Sequence, residues 1–194
     1  VLRWGWVFLL GVGIFLAPGW LVKVVIGAVW AVSLGTLTTD RLRSDLARWW
    51  LLRSLPLGTS ALVAAELGPA CVLAVLLGWV ALALVPPPSA FGWLAAALLP
   101  FLIAIAALGS ARDILDHARA RLLLTLAQGE ENVPRQDIQG ALTVFIAVGV
   151  PLTLLVWGGS LSGGLFFALL ALPVAALIAV LLFRAVCLTY REIK

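Results

Sequence analysis

The chain has 194 residues, of which 63% are hydrophobic and 11% are charged, and its mean hydropathy is +1.15. A water-soluble domain of this length could not bury so much apolar surface, so the composition indicates a membrane protein. The net charge is +4, but no soluble basic domain hosts it, and we read the arginines as topology determinants rather than nucleic-acid contacts.

Long apolar runs rich in Leu, Ala and Val follow one another along the chain. Lipid supplies no hydrogen bonds to the backbone, so such runs must form helices or a closed barrel. Barrel strands alternate and are only about ten residues long, whereas these runs are longer and uninterrupted. The sequence predicts an all-α, polytopic helical bundle, a single transmembrane domain over 1–194 with about six transmembrane helices. The predicted spans are about 4–17, 20–38, 62–85, 91–109, 141–157 and 165–183.

The first two predicted spans are separated by Pro18 and Gly19, a pair typical of turns. This predicts a tight helical hairpin, because one helix kinked at Pro18 would exceed about 30 residues and overshoot the bilayer. The chain begins at Val1, contains no Met and opens on a short apolar run. We therefore expect it to be part of a longer protein.

Residues 40–56, between the second and third spans, are predicted to contain a short amphipathic helix on the membrane surface. Apolar residues at i, i+4, i+7 and i+8 share one face, and opposite charges at i, i+4 and i+7 can pair on the other. Pro56 disfavours helical geometry at the preceding residue and turns the chain sharply into the third span. The apolar face consists of Leu42, Leu46, Trp49 and Trp50, and the charged face of Arg41, Asp45 and Arg48.

Residue types alone leave two interpretations of this surface helix open. It could be a lipid anchor, with Trp and Leu side chains in the headgroup layer and Arg side chains bound to anionic lipid. It could instead be a docking helix for a cytoplasmic partner, since Trp and Arg are common at the energetic centres of interfaces. Motion of a docking helix would pass directly into the third span through the corner at Pro56.

The sequence over 43–67 resembles the membrane subunits of ABC-2-type exporters, in particular the ABC exporter permeases. The similarity rests on an R-x-D-L pattern at 43–46, an L-x-x-L-P-L pattern at 52–57 and an acidic residue, Glu66, further along. In that family the element precedes a membrane helix and is read as the cytoplasmic coupling element that contacts the ATPase. Members usually have more than six spans, so the resemblance implies that this chain is one part of such a permease.

The resemblance implies a permease subunit that moves substrate across the membrane while a separate subunit hydrolyses ATP. The expected partners are a cytoplasmic ABC ATPase subunit, membrane lipids and further subunits of a homo- or hetero-oligomer. The residues expected to contact the ATPase are Arg43, Asp45, Leu46, Arg48, Trp49, Trp50, Arg53 and Pro56.

Glu66 in the third predicted span is a candidate for a transport or structural role, because a carboxylate inside a membrane is costly to keep there. If the outer end of this span lies at Val85, a 20-residue span begins near Glu66. The carboxylate would then lie at the inner boundary, within reach of headgroups, water or Arg53. Pro69, one turn later, predicts a kink in the same helix.

A second charged segment, 110–139, is predicted to begin with a helix over 111–128 that ends before Gly129. This helix could continue the fourth span into the cytoplasm or form a second surface helix. The single histidine, His117, has no His or Cys near it in sequence, which favours a solvated helix residue over a metal ligand. The apolar stripe consists of Ile114, Leu115, Ala118, Leu122 and Leu126.

The basic residues predict the orientation of the chain. Arg3, four arginines in 40–56, four in 110–139 and three basic residues in the C-terminal tail fall on one side, and Lys23 alone falls on the other. By the positive-inside rule both termini and both charged segments are cytoplasmic, and we expect a bacterial inner membrane protein. Three tryptophans at the predicted outer ends fit an aromatic belt: Trp20, Trp93 and Trp157.

Several catalytic signatures are missing from the sequence. No G-x-x-x-x-G-K-[ST] loop occurs, so the ATPase is expected on a separate subunit, and neither H-E-x-x-H nor G-x-S-x-G is present. Cys71 and Cys187 lie far apart without metal-ligand spacing. We therefore expect no catalytic residue, metal or cofactor. The alternatives to a permease are a membrane scaffold that anchors a cytoplasmic partner through 40–56, and an integral membrane enzyme, for which no motif is found.

Overall fold

A computed structural model describes residues 58–84, 90–127, 137–160 and 164–193, together with scattered positions between 5 and 39. All regular secondary structure within these residues is helical, which confirms the predicted all-α class for this part of the chain. The four continuous helices are α1 (Thr59–Leu84), α2 (Ala90–Ala127), α3 (Asp137–Ser160) and α4 (Leu165–Ile193).

Three of these helices contain stretches that are long and apolar enough to cross a membrane: Thr59–Val80, Trp93–Arg119 and Leu165–Glu192. Helix α3 contributes a shorter apolar stretch, Leu142–Gly158. The described helices thus indicate a membrane protein with three candidate spans. Six spans remain a prediction, because most of the first two predicted spans lies outside the described residues and the predicted span 141–157 in α3 is not among the three candidates.

Helix α2 continues without a break through the charged sequence after Gly109 and is 38 residues long. The sequence left two alternatives for this segment, and the structure agrees with a direct continuation of the fourth predicted span. At 1.5 Å per residue α2 measures about 57 Å, nearly twice the thickness of a hydrocarbon core. A large part of α2 must therefore extend past the bilayer core.

Helices α2 and α4 form the most extensive helix pair, and each of them also contacts α1 and α3. The side chains of α2 that lie within this bundle are among the most completely buried of the described residues. In contrast, α1, α3 and α4 expose many large apolar side chains, which suits helices that face lipid. The fully buried apolar residues of α2 are Leu98, Ile103, Ile105, Ala106, Ala107, Ala111 and Leu115.

Each of the four helices contains an interior proline. A proline has no backbone N–H, so the carbonyl four residues earlier loses its helical hydrogen bond. Membrane helices tolerate this only where a neighbouring group supplies another donor or local geometry adjusts. The prolines are Pro69, Pro100, Pro151 and Pro173.

At Pro100 the replacement donor comes from the neighbouring helix. The indole Nε1 of Trp79 in α1 donates a hydrogen bond of 3.0 Å to the carbonyl oxygen of Ala96 in α2, four residues before the proline. Next to it, Gly78 lets α1 approach closely, since a Cβ there would lie 2.5 Å from a methyl carbon of Leu99. Trp79 therefore joins α1 to α2 by a hydrogen bond, and Gly78 beside it joins them by a close apolar contact with Leu99.

The corner between α3 and α4 is a backbone-to-backbone contact between two glycines. A Cβ on Gly158 would lie 2.6 Å from the carbonyl oxygen of Gly164 and 2.7 Å from the backbone nitrogen of Ala168. The same Gly164 carbonyl accepts a hydrogen bond from Ala168 N at 3.1 Å. Backbone atoms cannot rotate away as a side chain can, so this corner requires glycine at 158.

We expect Trp79→Phe to lower the free energy of unfolding in detergent by about 0.5–2 kcal/mol, because the Ala96 carbonyl loses its replacement donor. In a Pro100→Ala background residue 100 regains its N–H, so Trp79→Phe should cost clearly less there. Equal costs in the two backgrounds would contradict this account. Trp93→Phe, at a more exposed tryptophan, is the matched control and should change little.

Gly158→Ala is expected to destabilise the protein by about 1–3 kcal/mol, because the new methyl group displaces the start of α4. Gly149→Ala on the same helix is the control, since a Cβ there meets nothing within 4 Å. Its effect should be neutral or stabilising, by up to about 1 kcal/mol, through helix propensity. Thermal unfolding of the two variants in one detergent makes the comparison, and equal shifts would rule out the close contact.

Candidate functional site at the charged end of the bundle

The eight residues predicted to contact an ATPase, between Arg43 and Pro56, lie outside the described residues. The first continuous described position after them is Gly58, whose carbonyl accepts a hydrogen bond from Leu62 N at 3.1 Å. Helix α1 begins at Thr59. The segment 40–56 therefore leads into α1 within three residues of Pro56.

The beginning of α1 is packed rather than frayed. Leu62, Val63 and Leu67 are at most 5% exposed and belong to the same apolar core as the buried residues of α2 and α4. Helix α1 contacts both of those helices. A displacement at 40–56 would therefore act on a helix that is already fixed to the bundle.

Glu66 lies on α1 and is partly buried. It takes part in a hydrogen-bonding or electrostatic interaction and is not an isolated charge. Helix α1 begins at Thr59, so Glu66 lies about two helical turns, or about 10 Å, from its start. A membrane span that begins near Glu66 stays a prediction, and the helix itself begins before it.

An ion pair connects α2, at a point eight residues before its end, with the end of α4. Arg119 Nη1 lies 2.6 Å from Glu192 Oε2, and the two side chains are 51% and 53% exposed. Half-exposed pairs of this kind contribute about 0.2–1 kcal/mol, since water screens them. The pair also fixes which turn of α2 lies beside which turn of α4, and it places the ends of both helices at the same end of the bundle.

Apolar packing continues beneath this ion pair. Leu115 of α2 and Val186 and Tyr190 of α4 are almost completely buried and belong to the common core. The two helices therefore remain packed together beyond their most apolar stretches. The sequence analysis placed Leu115 correctly on the apolar stripe of α2. It did not predict the burial of Tyr190, because this residue lies in a charged tail where no apolar stripe marks it.

His117 departs from its predicted solvated state. Its side chain is 20% exposed, and Nδ1 lies 2.7 Å from the Asp113 carbonyl oxygen. A carbonyl only accepts, so Nδ1 carries the hydrogen and Nε2 has the lone pair when the ring is neutral. Nε2 is buried and has no hydrogen-bond partner among the described residues. The expectation was wrong because His117 follows the apolar stripe of α2, three residues after Ile114.

Arg112 pairs with Asp116 along α2, with Nε 3.6 Å from Oδ2. Within the described part of the chain no three His, Cys, Asp or Glu side chains converge as metal ligands would. The exposed arginines of α4, Arg184 and Arg191, make this end of the bundle suited to contact with headgroups or with a charged protein surface, whereas Arg112 already lies beside Asp116. Family models, curated proteins and solved structures provided no match to the chain.

A double-mutant cycle on Arg119→Gln and Glu192→Gln should give a coupling energy of about 0.2–1 kcal/mol at low salt. The coupling should fall as ionic strength rises, because both side chains are solvated. Denaturation of the four proteins in detergent at two salt concentrations measures it. Purely additive effects at low salt would show that the pair does not connect the helices.

Proposed function

We propose that the chain is a transmembrane permease subunit of an ABC-type exporter, driven by a separate cytoplasmic ATPase and acting within a homo- or hetero-oligomer. The observation that carries this proposal is the direct connection of 40–56 to a packed helix. The predicted docking segment 40–56 ends three residues before α1 along the chain, and Leu62, Val63 and Leu67 in the first turns of α1 are buried in the common apolar core.

The direction of the helices supports the proposed orientation. Helices α1 and α2 are antiparallel, because Trp79 near the end of α1 contacts Ala96 near the start of α2. The beginning of α1 and the end of α2 therefore lie at the same end of the bundle. The segment 40–56 enters at the end where α2 and α4 carry their charges, as expected for the cytoplasmic side of an inner membrane protein.

The structure also supports a route for mechanical coupling. Closely packed helices transmit displacement because their interfaces repack in discrete steps rather than deform continuously. A shift of the docking helix during ATP hydrolysis would move the start of α1 against α2 and α4. The substrate would pass between membrane domains, and the chain itself would form no covalent intermediate.

The double variant Arg48→Ala, Trp49→Ala should remain in the membrane but lose most of its ATPase co-purification and its stimulation of ATP hydrolysis. Arg48 and Trp49 supply the docking energy in this proposal, as Arg and Trp do at many interfaces. The matched control is Arg112→Ala, Trp93→Ala, which removes the same residue types from exposed positions on α2. The control should retain both the co-purification of the ATPase and the stimulation of ATP hydrolysis.

Unchanged ATPase recovery and unchanged hydrolysis in the first variant would overturn the docking assignment. ATPase binding that depends on Arg48 and Trp49 but never yields substrate-stimulated hydrolysis would favour a membrane scaffold instead. Purification of the full reading frame in mild detergent, with identification of the co-purifying subunit, supplies the partner for both measurements.

A further inference from the structure

One face of α4 is exposed along its length and changes from apolar to basic toward the end of the helix. Its members follow a spacing of four and three residues, which keeps them on one side of an α-helix. The three leucines of this face are each more than half exposed, and the two arginines are also exposed. In order, the residues are Leu177, Leu181, Arg184, Leu188 and Arg191.

The two arginines on this face form no ion pair with any carboxylate of the described residues. The acidic residue closest to them in sequence is Glu192, and it is bound to Arg119 of α2. On α2, Asp116 lies beside Arg112. Among the described residues, therefore, no carboxylate occupies the guanidinium N–H groups of Arg184 and Arg191. These groups can donate to a phosphate.

The position of Arg184 along α4 coincides with the expected edge of the hydrocarbon core. About 20 helical residues cross about 30 Å, and a span that begins at Leu165 reaches Arg184 after that length. On α2, Arg112 lies seven residues before Arg119, and on α4, Arg184 lies eight residues before Glu192, so the Arg119–Glu192 pair places Arg112 and Arg184 at about the same depth. Arg191 lies about 10 Å further along, so a headgroup layer about 5–8 Å thick lies between Arg184 and Arg191.

We propose that Arg184 and Arg191 bind the phosphate of an anionic phospholipid whose acyl chains lie along Leu177 and Leu181. Guanidinium groups donate paired hydrogen bonds to phosphate oxygens, and here one lies on either side of the phosphate layer. Leu188 between them keeps the face apolar enough to hold lipid rather than water. The site goes beyond the proposed transport function and does not depend on it or on the orientation of the chain.

The test uses the full chain in detergent, titrated with phosphatidylglycerol or phosphatidylcholine of identical acyl chains and followed by native mass spectrometry. Each basic residue near an anionic surface contributes roughly a fivefold preference. We expect phosphatidylglycerol to bind about 10- to 30-fold more tightly than phosphatidylcholine. Arg184→Gln, Arg191→Gln should abolish that preference, and the charge-preserving Arg184→Lys, Arg191→Lys should retain much of it.

Arg112→Gln is the matched control, because this arginine lies at the same depth on α2 but beside Asp116. It should keep the preference of the unaltered chain. Equal binding of the two lipids by the unaltered chain, an unchanged preference in the double Gln variant, or an equal loss in the control would each overturn the site. Inorganic phosphate that displaces the lipid at equal concentration would indicate a free-anion site and would also overturn it.

If the double Gln variant does not fold, the single variants decide. Arg184→Gln and Arg191→Gln should each lower the phosphatidylglycerol preference by about threefold to fivefold. A preference that neither single variant changes would overturn the proposal.

Discussion

Every backbone carbonyl within an apolar span needs a hydrogen-bond donor, because the surrounding lipid supplies none. This constraint makes the described chain helical. It also means that each of the four interior prolines leaves a carbonyl that needs another donor. Each proline withdraws one donor, and at Pro100 the deficit is met from outside the helix by the Trp79 indole. Trp79 thus supplies the hydrogen bond that the Ala96 carbonyl loses to Pro100, and this contact fixes where α1 and α2 meet.

Packing within lipid gains little from the hydrophobic effect, so the helices depend on close van der Waals contact. Small residues allow that contact. Helix α4 buries Ala168, Ala171 and Ala175 completely, at a spacing that forms one stripe, and α2 buries a similar set of alanines. Large apolar side chains lie both inside and outside the bundle: Leu98, Ile103 and Leu115 of α2 are fully buried, whereas many Leu, Val and Phe side chains of the other helices are exposed. The buried alanines are the places where backbones can approach most closely.

The sequence predicted the helical class and the approximate positions of the described helices, since apolar runs report lipid directly. Its predicted spans mark membrane segments rather than whole helices, and continuation of the fourth span through 111–128 was one of the two alternatives it left open. The predicted spans 91–109 and 165–183 end at the first charges, whereas α2 and α4 continue to Ala127 and Ile193. A hydropathy pattern locates the edge of the membrane and not the end of the helix. The Trp79 contact depends on a neighbouring helix, which no local pattern encodes. The partial burial of His117 could have been predicted from its place three residues after Ile114 on the apolar stripe, and the predicted docking residues lie outside the described chain.

The arrangement of contacts along α1 gives the proposed coupling a definite geometry. The hydrogen bond from Trp79 to α2 lies about 20 residues, or about 30 Å, from the beginning of α1 at Thr59. A force applied through 40–56 acts at Thr59, far from that hydrogen bond. Meanwhile the Arg119–Glu192 pair and the packing around Tyr190 hold α2 and α4 together at the same end. In the proposed mechanism a displacement at the beginning of α1 would therefore repack Leu62, Val63 and Leu67 within the apolar core, while α2 and α4 stay together.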